Sequence, residues 1–452
     1  MKSQRGNFRS KFGVVLATAG SAVGLGNVWR FPFMTGQNGG AVFIIVYIIC
    51  ILLLGIPGMV GEFIIGRHSQ TNAARAYATI SRYRWWGFVG VLGIITSSII
   101  LGFYAVVAGW CLHYLGASAI GHLQGDSTYV TSYFQQHSTN VVKPAFMAVV
   151  FIGITHFVIV RGVESGIERA SKVLMPLLFI LLLVLVGAAC SLPGAMQGVE
   201  FLLKPDFSKF TSNVFLEALG QAFFSLSLGT ACLCTYASYF SRDTNLMRSA
   251  SQIALVDCLI AVLAGLMIFP AAFSVGIQPD SGPSLIFITL PTVFQQAFAA
   301  MPIVGQVISV MFYALLVFAA LTSTISLHEI GTAFFHEEFH IKRSNAAWII
   351  TVLCSSLAIA CSLSVGGAAH LQVMGMSLMN FCDFLTAQIM LPLGAMLTCV
   401  LLGWFVKTKI IRNEITNWGT LRGSLYRSFL FNVRYVVPIC ILLILMHQLG
   451  VI

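Results

Sequence analysis

The sequence predicts an all-α, polytopic membrane protein with about eleven transmembrane helices, and three observations carry that expectation. Of 452 residues, 58% are hydrophobic and only 9% are charged, whereas a soluble domain carries about 25% charged residues. Runs of roughly 20 mostly apolar residues, long enough to cross ~30 Å of hydrocarbon as a helix, recur along the whole chain. The basic residues are also sorted by side. With the N-terminus inside, only Arg30, Lys143, Lys204 and Lys209 of the 25 Lys and Arg residues fall outside, as the positive-inside rule requires.

The expected spans are 12–35, 41–66, 87–118, 144–160, 170–191, 212–240, 250–277, 303–337, 344–363, 379–406 and 428–450. Each is longer than the ten-residue alternating segments of a β-barrel and apolar all round, so each reads as a helix. The piece 283–299 contains Pro283 and Pro291 and is too short to span; it is expected as a loop helix over one mouth. Lys2, Arg5, Arg9 and Lys11 precede the first apolar stretch. That stretch is Gly-rich and holds Asn27 and Arg30, so it reads as a retained first helix rather than a signal peptide. An odd number of spans then leaves the C-terminus outside. The net charge of +10 lies in short turns between spans, which favours a bilayer over nucleic acid as the partner. The 11 cysteines show no CxxC spacing and sit mostly in apolar runs, where cysteine packs as a small apolar residue.

Two spans carry polar interruptions. Span one breaks at Ser21-Ala22-Val23-Gly24-Leu25-Gly26-Asn27 and span six at Ser225-Leu226-Ser227-Leu228-Gly229-Thr230. They lie five spans apart, so the halves that contain them have opposite topology. Paired interruptions of this kind point to a transporter binding site. The expected organisation is a first five-helix repeat at 1–192, an inverted second repeat at 193–406, and a cytoplasmic loop with an eleventh helix at 407–452.

The stretches AGSAVGLGNVWRFPF at 19–33, QAFFSLSLGT at 221–230 and FAALTSTISL at 318–327 resemble the neurotransmitter:sodium symporter family. GIPGMVGEFIIGR at 55–67 and RGVESGIERASKVLMP at 161–176 fit the same family, and the likeness is greatest to its bacterial amino-acid branch. The resemblance implies sodium-coupled symport of a neutral amino acid across the plasma (inner) membrane, with no cofactor beyond sodium as the coupling ion. A first sodium site would take Ala22, Asn27, Ser225 and Asp257. A second would take Gly20, Val23, Ala319, Thr322 and Ser323. Substrate contacts would come from Ser21, Ala22, Leu25, Gly26, Ile100, Tyr104, Phe224, Ser225, Ser227, Thr230, Ser323 and Leu327. Monoamine-carrying relatives place an Asp at Gly24, so a substrate here should bring its own carboxylate. Thr230 stands where a leucine-carrying relative has Phe, which implies a roomier pocket for a large hydrophobic or aromatic side chain.

The resemblance further implies an outer gate of Arg30 with Asp383 and an inner gate of Arg5 with Glu337. Chloride-dependent relatives hold their anion with residues matched by Tyr47, Gln221 and Ser225. They add a Ser where this chain has Ala261, and Asp257 replaces their usual Asn. An ionised Asp257 would offset the sodium charge itself, implying transport without chloride. Glu62 and Glu329 are costly in a bilayer and are expected to bond to unwound backbone. Two other readings stay open: a proton-coupled amino-acid carrier of the same fold, and an intramembrane zinc protease from His336-Glu337-Glu338-Phe339-His340, an HExxH pattern.

Overall fold

The computed structural model describes residues 10–276, 284–366, 371–423 and 425–448. Its helices are α1 (Lys11–Ala22), α2 (Phe31–Gln37), α3 (Ala41–Ser69), α4 (Ala73–Thr79), α5 (Arg84–Ala119), α6 (Ser127–Ser138), α7 (Lys143–Val160), α8 (Val163–Cys190) and α9 (Met196–Leu203). They continue as α10 (Ser212–Ser225), α11 (Cys232–Ala237), α12 (Leu246–Ser274), α13 (Leu285–Ala297), α14 (Pro302–Glu338), α15 (Arg343–Val365), α16 (Leu378–Phe405), α17 (Thr408–Ile415) and α18 (Tyr426–Gln448). A two-stranded antiparallel ribbon, β1 (Gln372–Val373) and β2 (Met376–Ser377), links α15 to α16. Among the described residues nine helices are long and apolar enough to cross a membrane. The remaining two expected spans are present as interrupted helices, α1 with α2 and α10 with α11.

Side-chain caps satisfy the first free N–H groups of several helices. Ser10 Oγ accepts from Gly13 N at 2.9 Å, Thr211 Oγ1 from Val214 N at 3.3 Å, and Asn245 Oδ1 from Arg248 N at 3.0 Å. Packing then decides which spans lie inside. The most apolar stretches of α3 and α12 are 67% and 61% buried, whereas those of α8 and α18 are 28% buried. Val173, Ile180, Leu183, Ile439 and Leu442 are accordingly exposed. A band of that size is what a lipid-facing surface presents. Close helix contacts need glycine: a Cβ on Gly66 of α3 would stand 2.0 Å from Cys234 O of α11.

The observed spans match the expected ones within a few residues, with two differences. Span five begins at Val163, seven residues early, because Val163–Glu168 adds a π-helical turn. The charges and glycines of that turn suggest a loop, but Ser10 Oγ and Lys172 Nζ donate to Glu168 Oε1 at 3.0 and 2.6 Å. The segment expected as a loop helix is α13, and its first turn is interior: Leu285, Ile286 and Phe287 have no exposed surface. Phe287 packs on Trp110, Tyr114 and Phe134, with ring centroids 5.7, 4.9 and 5.4 Å away.

At the end of α3, Arg67 is fully buried and ties three segments together. Its Nε donates to Glu414 Oε2 of α17 at 2.7 Å, its Nη1 to Asn417 Oδ1 at 3.0 Å and to Thr244 O, and its Nη2 to Glu414 O. Removing one partner of a buried pair strands the other and costs about 3–5 kcal/mol. Arg67→Ala is therefore expected to lower the thermal midpoint in detergent sharply, and the double variant Arg67→Met with Glu414→Leu to recover part of the loss. Equal midpoints for Arg67→Ala and the native chain would show that the cluster is not a structural tie.

Candidate functional site

The site is built where the two interrupted helices leave backbone groups unpaired by helical bonds. α1 ends at Ala22, Val23 is extended, and helical structure resumes at Gly26. Gly24 N donates to Asn27 Oδ1 at 2.9 Å and Leu25 N to Tyr104 Oη at 3.0 Å. On the carbonyl side, Val23 O accepts from Ser323 Oγ at 3.0 Å and from Thr322 Oγ1 at 3.4 Å. In the second interruption, Ser227, Gly229 and Ala231 take φ values of 53°, 83° and 59°. At Gly229 this conformation favours glycine, and a Cβ would also meet Leu391 O at 2.2 Å. Gly229 N and Cys234 N donate to the two carboxylate oxygens of Glu62 at 2.7 and 3.3 Å. Ser97 Oγ donates to Thr230 O at 2.7 Å, and Ser227 Oγ reaches across to Ser21 O at 3.3 Å, joining the two breaks.

Between the breaks lies a cavity of about 480 Å³. All the expected substrate residues line it: Ser21, Ala22, Leu25, Gly26, Ile100, Tyr104, Phe224, Ser225, Ser227, Thr230, Ser323 and Leu327. Gly24, Asn27, Arg30 and Asp383 line it too. A Cβ on Gly24 would meet Ser323 Oγ at 2.6 Å and Tyr104 Oη at 3.0 Å, so a side chain there would displace those hydroxyls. Tyr104 accepts from Leu25 N through its hydroxyl oxygen, beside Ser323 Oγ at the Gly24 position. Sequence reading missed Phe103 and Val107, although Ile100, Phe103, Tyr104 and Val107 follow the i, i+3, i+4, i+7 pattern of one helix face. It also missed Met379, Ala387 and Leu391, which recur every four residues around Asp383.

Two clusters of oxygen donors flank the cavity. In one, Asp257 is fully buried. Its Oδ1 accepts from Asn27 Nδ2 at 2.7 Å, and its Oδ2 accepts from Ser225 Oγ at 2.7 Å and Tyr47 Oη at 3.1 Å. One turn before Ser225, the amide of Gln221 is buried with no hydrogen-bond partner among the described residues. Ala261 lies one turn beyond Asp257 and is likewise buried. In the other cluster Thr322 Oγ1 donates to Ala319 O at 2.9 Å, and Thr322 Cβ lies 3.3 Å from the position a Gly20 Cβ would take. The residues expected for each sodium site are thus neighbours in space.

The gates fare differently. Arg30 and Asp383 both face the cavity but form no ion pair among the described residues; the Arg30 guanidinium lies over the Phe224 ring, 4.3 Å from its centroid. Arg5 lies outside the described residues. Glu337 Oε2 accepts from Asn72 N and Nδ2 at 2.7 and 3.2 Å. Glu62 meets unwound backbone as expected, but Glu329 does not. Tyr239 Oη donates to its Oε1 at 2.6 Å and Arg343 grips both its oxygens. Arg343 sits at the start of a different helix, and no local pattern announces that pairing. His336 Nδ1 contacts Ile341 O at 2.6 Å.

Against this geometry, the comparisons with known proteins decide the family. The model of the sodium:neurotransmitter symporter family matches residues 5–145 and 130–452. The chain belongs to that family. It is 38% identical to the sodium-dependent transporter YhdH of Bacillus subtilis, over 98% of this chain and 97% of that one. A sodium-dependent transporter of Haemophilus influenzae is 33% identical, over 99% and 98%. The crystal structure of MhsT in complex with L-phenylalanine superposes with a TM-score of 0.88 at 37% identity, covering 98% of this chain and all of that one. The protein is therefore a sodium-dependent, multi-pass membrane transporter. The family comprises transporters and not enzymes, which removes the protease reading of the HExxH pattern.

Glu62 gives a test of how the second interruption is held. Glu62→Gln turns an acceptor toward donor, facing one N–H with an amide NH2, and an unsatisfied buried donor costs about 1–3 kcal/mol. Sodium-dependent ligand binding is expected to weaken roughly tenfold while the protein still purifies as a folded monodisperse species. Unchanged binding would mean that Gly229 N and Cys234 N need no carboxylate.

Proposed function

We propose that this transporter carries a neutral, large hydrophobic or aromatic amino acid by sodium-coupled symport across the plasma (inner) membrane, with its N-terminus cytoplasmic. The supporting observation is the cavity itself: it lies between two helix breaks, beside both clusters of oxygen donors, and among the described residues Arg30 and Asp383 are its only formally charged lining residues. Sodium wants hard oxygen ligands from carbonyls, hydroxyls and carboxylates. Ala22, Asn27, Ser225 and Asp257 would hold one ion; Gly20, Val23, Ala319, Thr322 and Ser323 would hold another. The absence of a side chain at Gly24, which lines the cavity beside Tyr104, suits a substrate that supplies its own carboxylate. Its side chain would lie among Ile100, Phe103, Phe224 and Leu327. The bound L-phenylalanine of MhsT favours the same substrate class.

In the proposed cycle the repeats 1–192 and 193–406 move relative to each other. Sodium and amino acid enter, Arg30 closes on Asp383, and the path past Arg5 and Glu337 then opens. Exposed ion pairs contribute only ~0–1 kcal/mol, which suits a contact that must break each turnover. Two sodium ions moving inward through 100 mV release about 4.6 kcal/mol, and tenfold gradients add about 1.4 kcal/mol per ion. Coupling to protons instead of sodium would leave both donor clusters without a cation to hold.

Uptake into proteoliposomes over a panel of amino acids, with sodium varied, tests the substrate class. Leucine, phenylalanine and tryptophan are expected to outcompete glycine and alanine, and Thr230→Phe to shift preference toward smaller side chains. Glycine or alanine winning the competition would overturn the size argument.

Asp257 carries the last prediction of this reading. Its carboxylate occupies the space between Tyr47, Ser225 and Asn27, and it would offset the sodium charge where a bound anion would otherwise serve. Transport is expected to continue when gluconate replaces chloride at constant sodium. Asp257→Asn removes the fixed charge and is expected to weaken transport and to make the remainder respond to chloride. Loss of native uptake on chloride removal would sink the charge-substitution argument. After sodium leaves, proton uptake by Asp257 would avoid a bare buried charge; vesicle alkalinisation or acidification during turnover reads that proton directly.

A further inference from the structure

Cys361 and Cys382 stand opposite each other at the turn between α15 and α16. These helices run antiparallel and are closed by the β1–β2 ribbon, in which Gln372 pairs with Ser377 and Val373 with Met376. Met379 N donates to Ser364 Oγ at 3.2 Å, which sets the register between the helices. Cys361 lies three residues before Ser364 and Cys382 three residues after Met379, one helical turn further along each helix on the same facing side. Both are buried, at 0% and 5% exposure. The two side chains thus face each other across the α15–α16 contact, and both are free cysteines.

The place matters as much as the pairing. Met379 and Asp383 line the cavity on either side of Cys382 along the helix. The outer segment Leu378–Phe384 is followed at once by a π-helical turn, Leu385–Met390, an irregularity that often marks a functional hinge. Asp383 therefore rides on a short rigid piece between a hinge and the α15 contact. By the distribution of basic residues this end faces outward, the side on which disulfides persist.

We propose that Cys361 and Cys382 are a modification site, a dithiol that a soluble disulfide converts to an intramolecular disulfide, pinning the outer segment of α16 to α15 with Asp383 held away from Arg30. The inference rests on the gating role proposed above. Cys382, the more exposed thiol and the one beside the cavity wall, loses its proton and attacks one sulfur of the soluble disulfide, expelling one thiolate. Cys361 then loses its proton and attacks the Cys382 sulfur, expelling the second thiolate. The two protons end on the released thiols, so two protein thiols lose two electrons and one soluble disulfide gains them.

The test uses the full-length transporter in proteoliposomes, exposed from outside to 2-hydroxyethyl disulfide and then to an alkylating reagent. Peptide mapping is expected to find the 361–382 cross-linked peptide. Sodium-driven uptake of the amino acid taken up best in the panel is expected to fall about tenfold, because a conformational step is blocked. Sodium-dependent binding of that amino acid stays within about twofold, since the pinned state keeps its cavity open. Dithiothreitol restores uptake, while Cys361→Ser and Cys382→Ser transport normally and ignore the oxidant. Absence of the cross-linked peptide, or its presence with undiminished uptake, overturns the proposal. If the reduced protein takes up no amino acid, the substrate reading fails instead, and the peptide map still decides whether the site exists.

Discussion

Hydrocarbon offers no hydrogen bonds, and this structure is organised around that constraint. A helix that stops mid-membrane exposes N–H and C=O groups which must find partners inside the protein. Here the partners come from other helices. α3 supplies Glu62, α5 supplies Ser97 and Tyr104, and α14 supplies Thr322 and Ser323. The breaks in α1–α2 and α10–α11 thus exist only when the whole bundle is assembled around them. The same bonds leave carbonyl, hydroxyl and carboxylate oxygens pointing at common centres. Helix interruption and ion-binding capacity are one structural event, which is why the proposed sodium positions and the cavity adjoin.

Charge is distributed unevenly between the two ends. Toward the loops rich in Lys and Arg, buried carboxylates are firmly partnered: Glu414 with Arg67, Glu329 with Arg343, and Glu168 with Lys172. Toward the other end, Arg30 and Asp383 share the cavity wall and form no ion pair among the described residues. Arg67–Glu414 and Arg343–Glu329 are largely buried and expensive to break, whereas Lys172 is partly exposed. The contrast between the two ends is one of partnering: ion pairs among helices at the basic end, and at the other an Arg30 that lies over the Phe224 ring.

The fold was legible in the sequence because its cause is compositional. Apolar length and the side preference of Lys and Arg located the spans without knowledge of any contact. The cavity lining was legible through the resemblance, residue by residue from Ser21 to Leu327. What escaped was set by tertiary contact. The helical start at Val163 depends on Ser10 reaching Glu168 across 158 positions of chain. Glu329 looked like a second Glu62, yet Arg343, fourteen residues on and in the next helix, claims it. Nothing in the apolar run 285–287 distinguishes a lid from an interior turn; the rings of Trp110 and Phe134 make the difference.

Asp257 shows how far a single substitution can reorganise the electrostatics of such a site. Its partners Asn27, Ser225 and Tyr47 are neutral donors, and three hydrogen bonds lower the cost of a buried carboxylate without cancelling its charge. A cation between Asp257 and Asn27 would cancel it, so binding of that ion and ionisation of Asp257 reinforce each other by linkage. Under the proposed charge substitution, the Gln221 amide nearby, which has no hydrogen-bond partner among the described residues, would be a donor left without the anion it would otherwise serve. If Asp257 serves as that countercharge it is covalently attached and cannot dissociate, so a proton or a second conformation that hydrates Asp257 would have to balance the empty carrier.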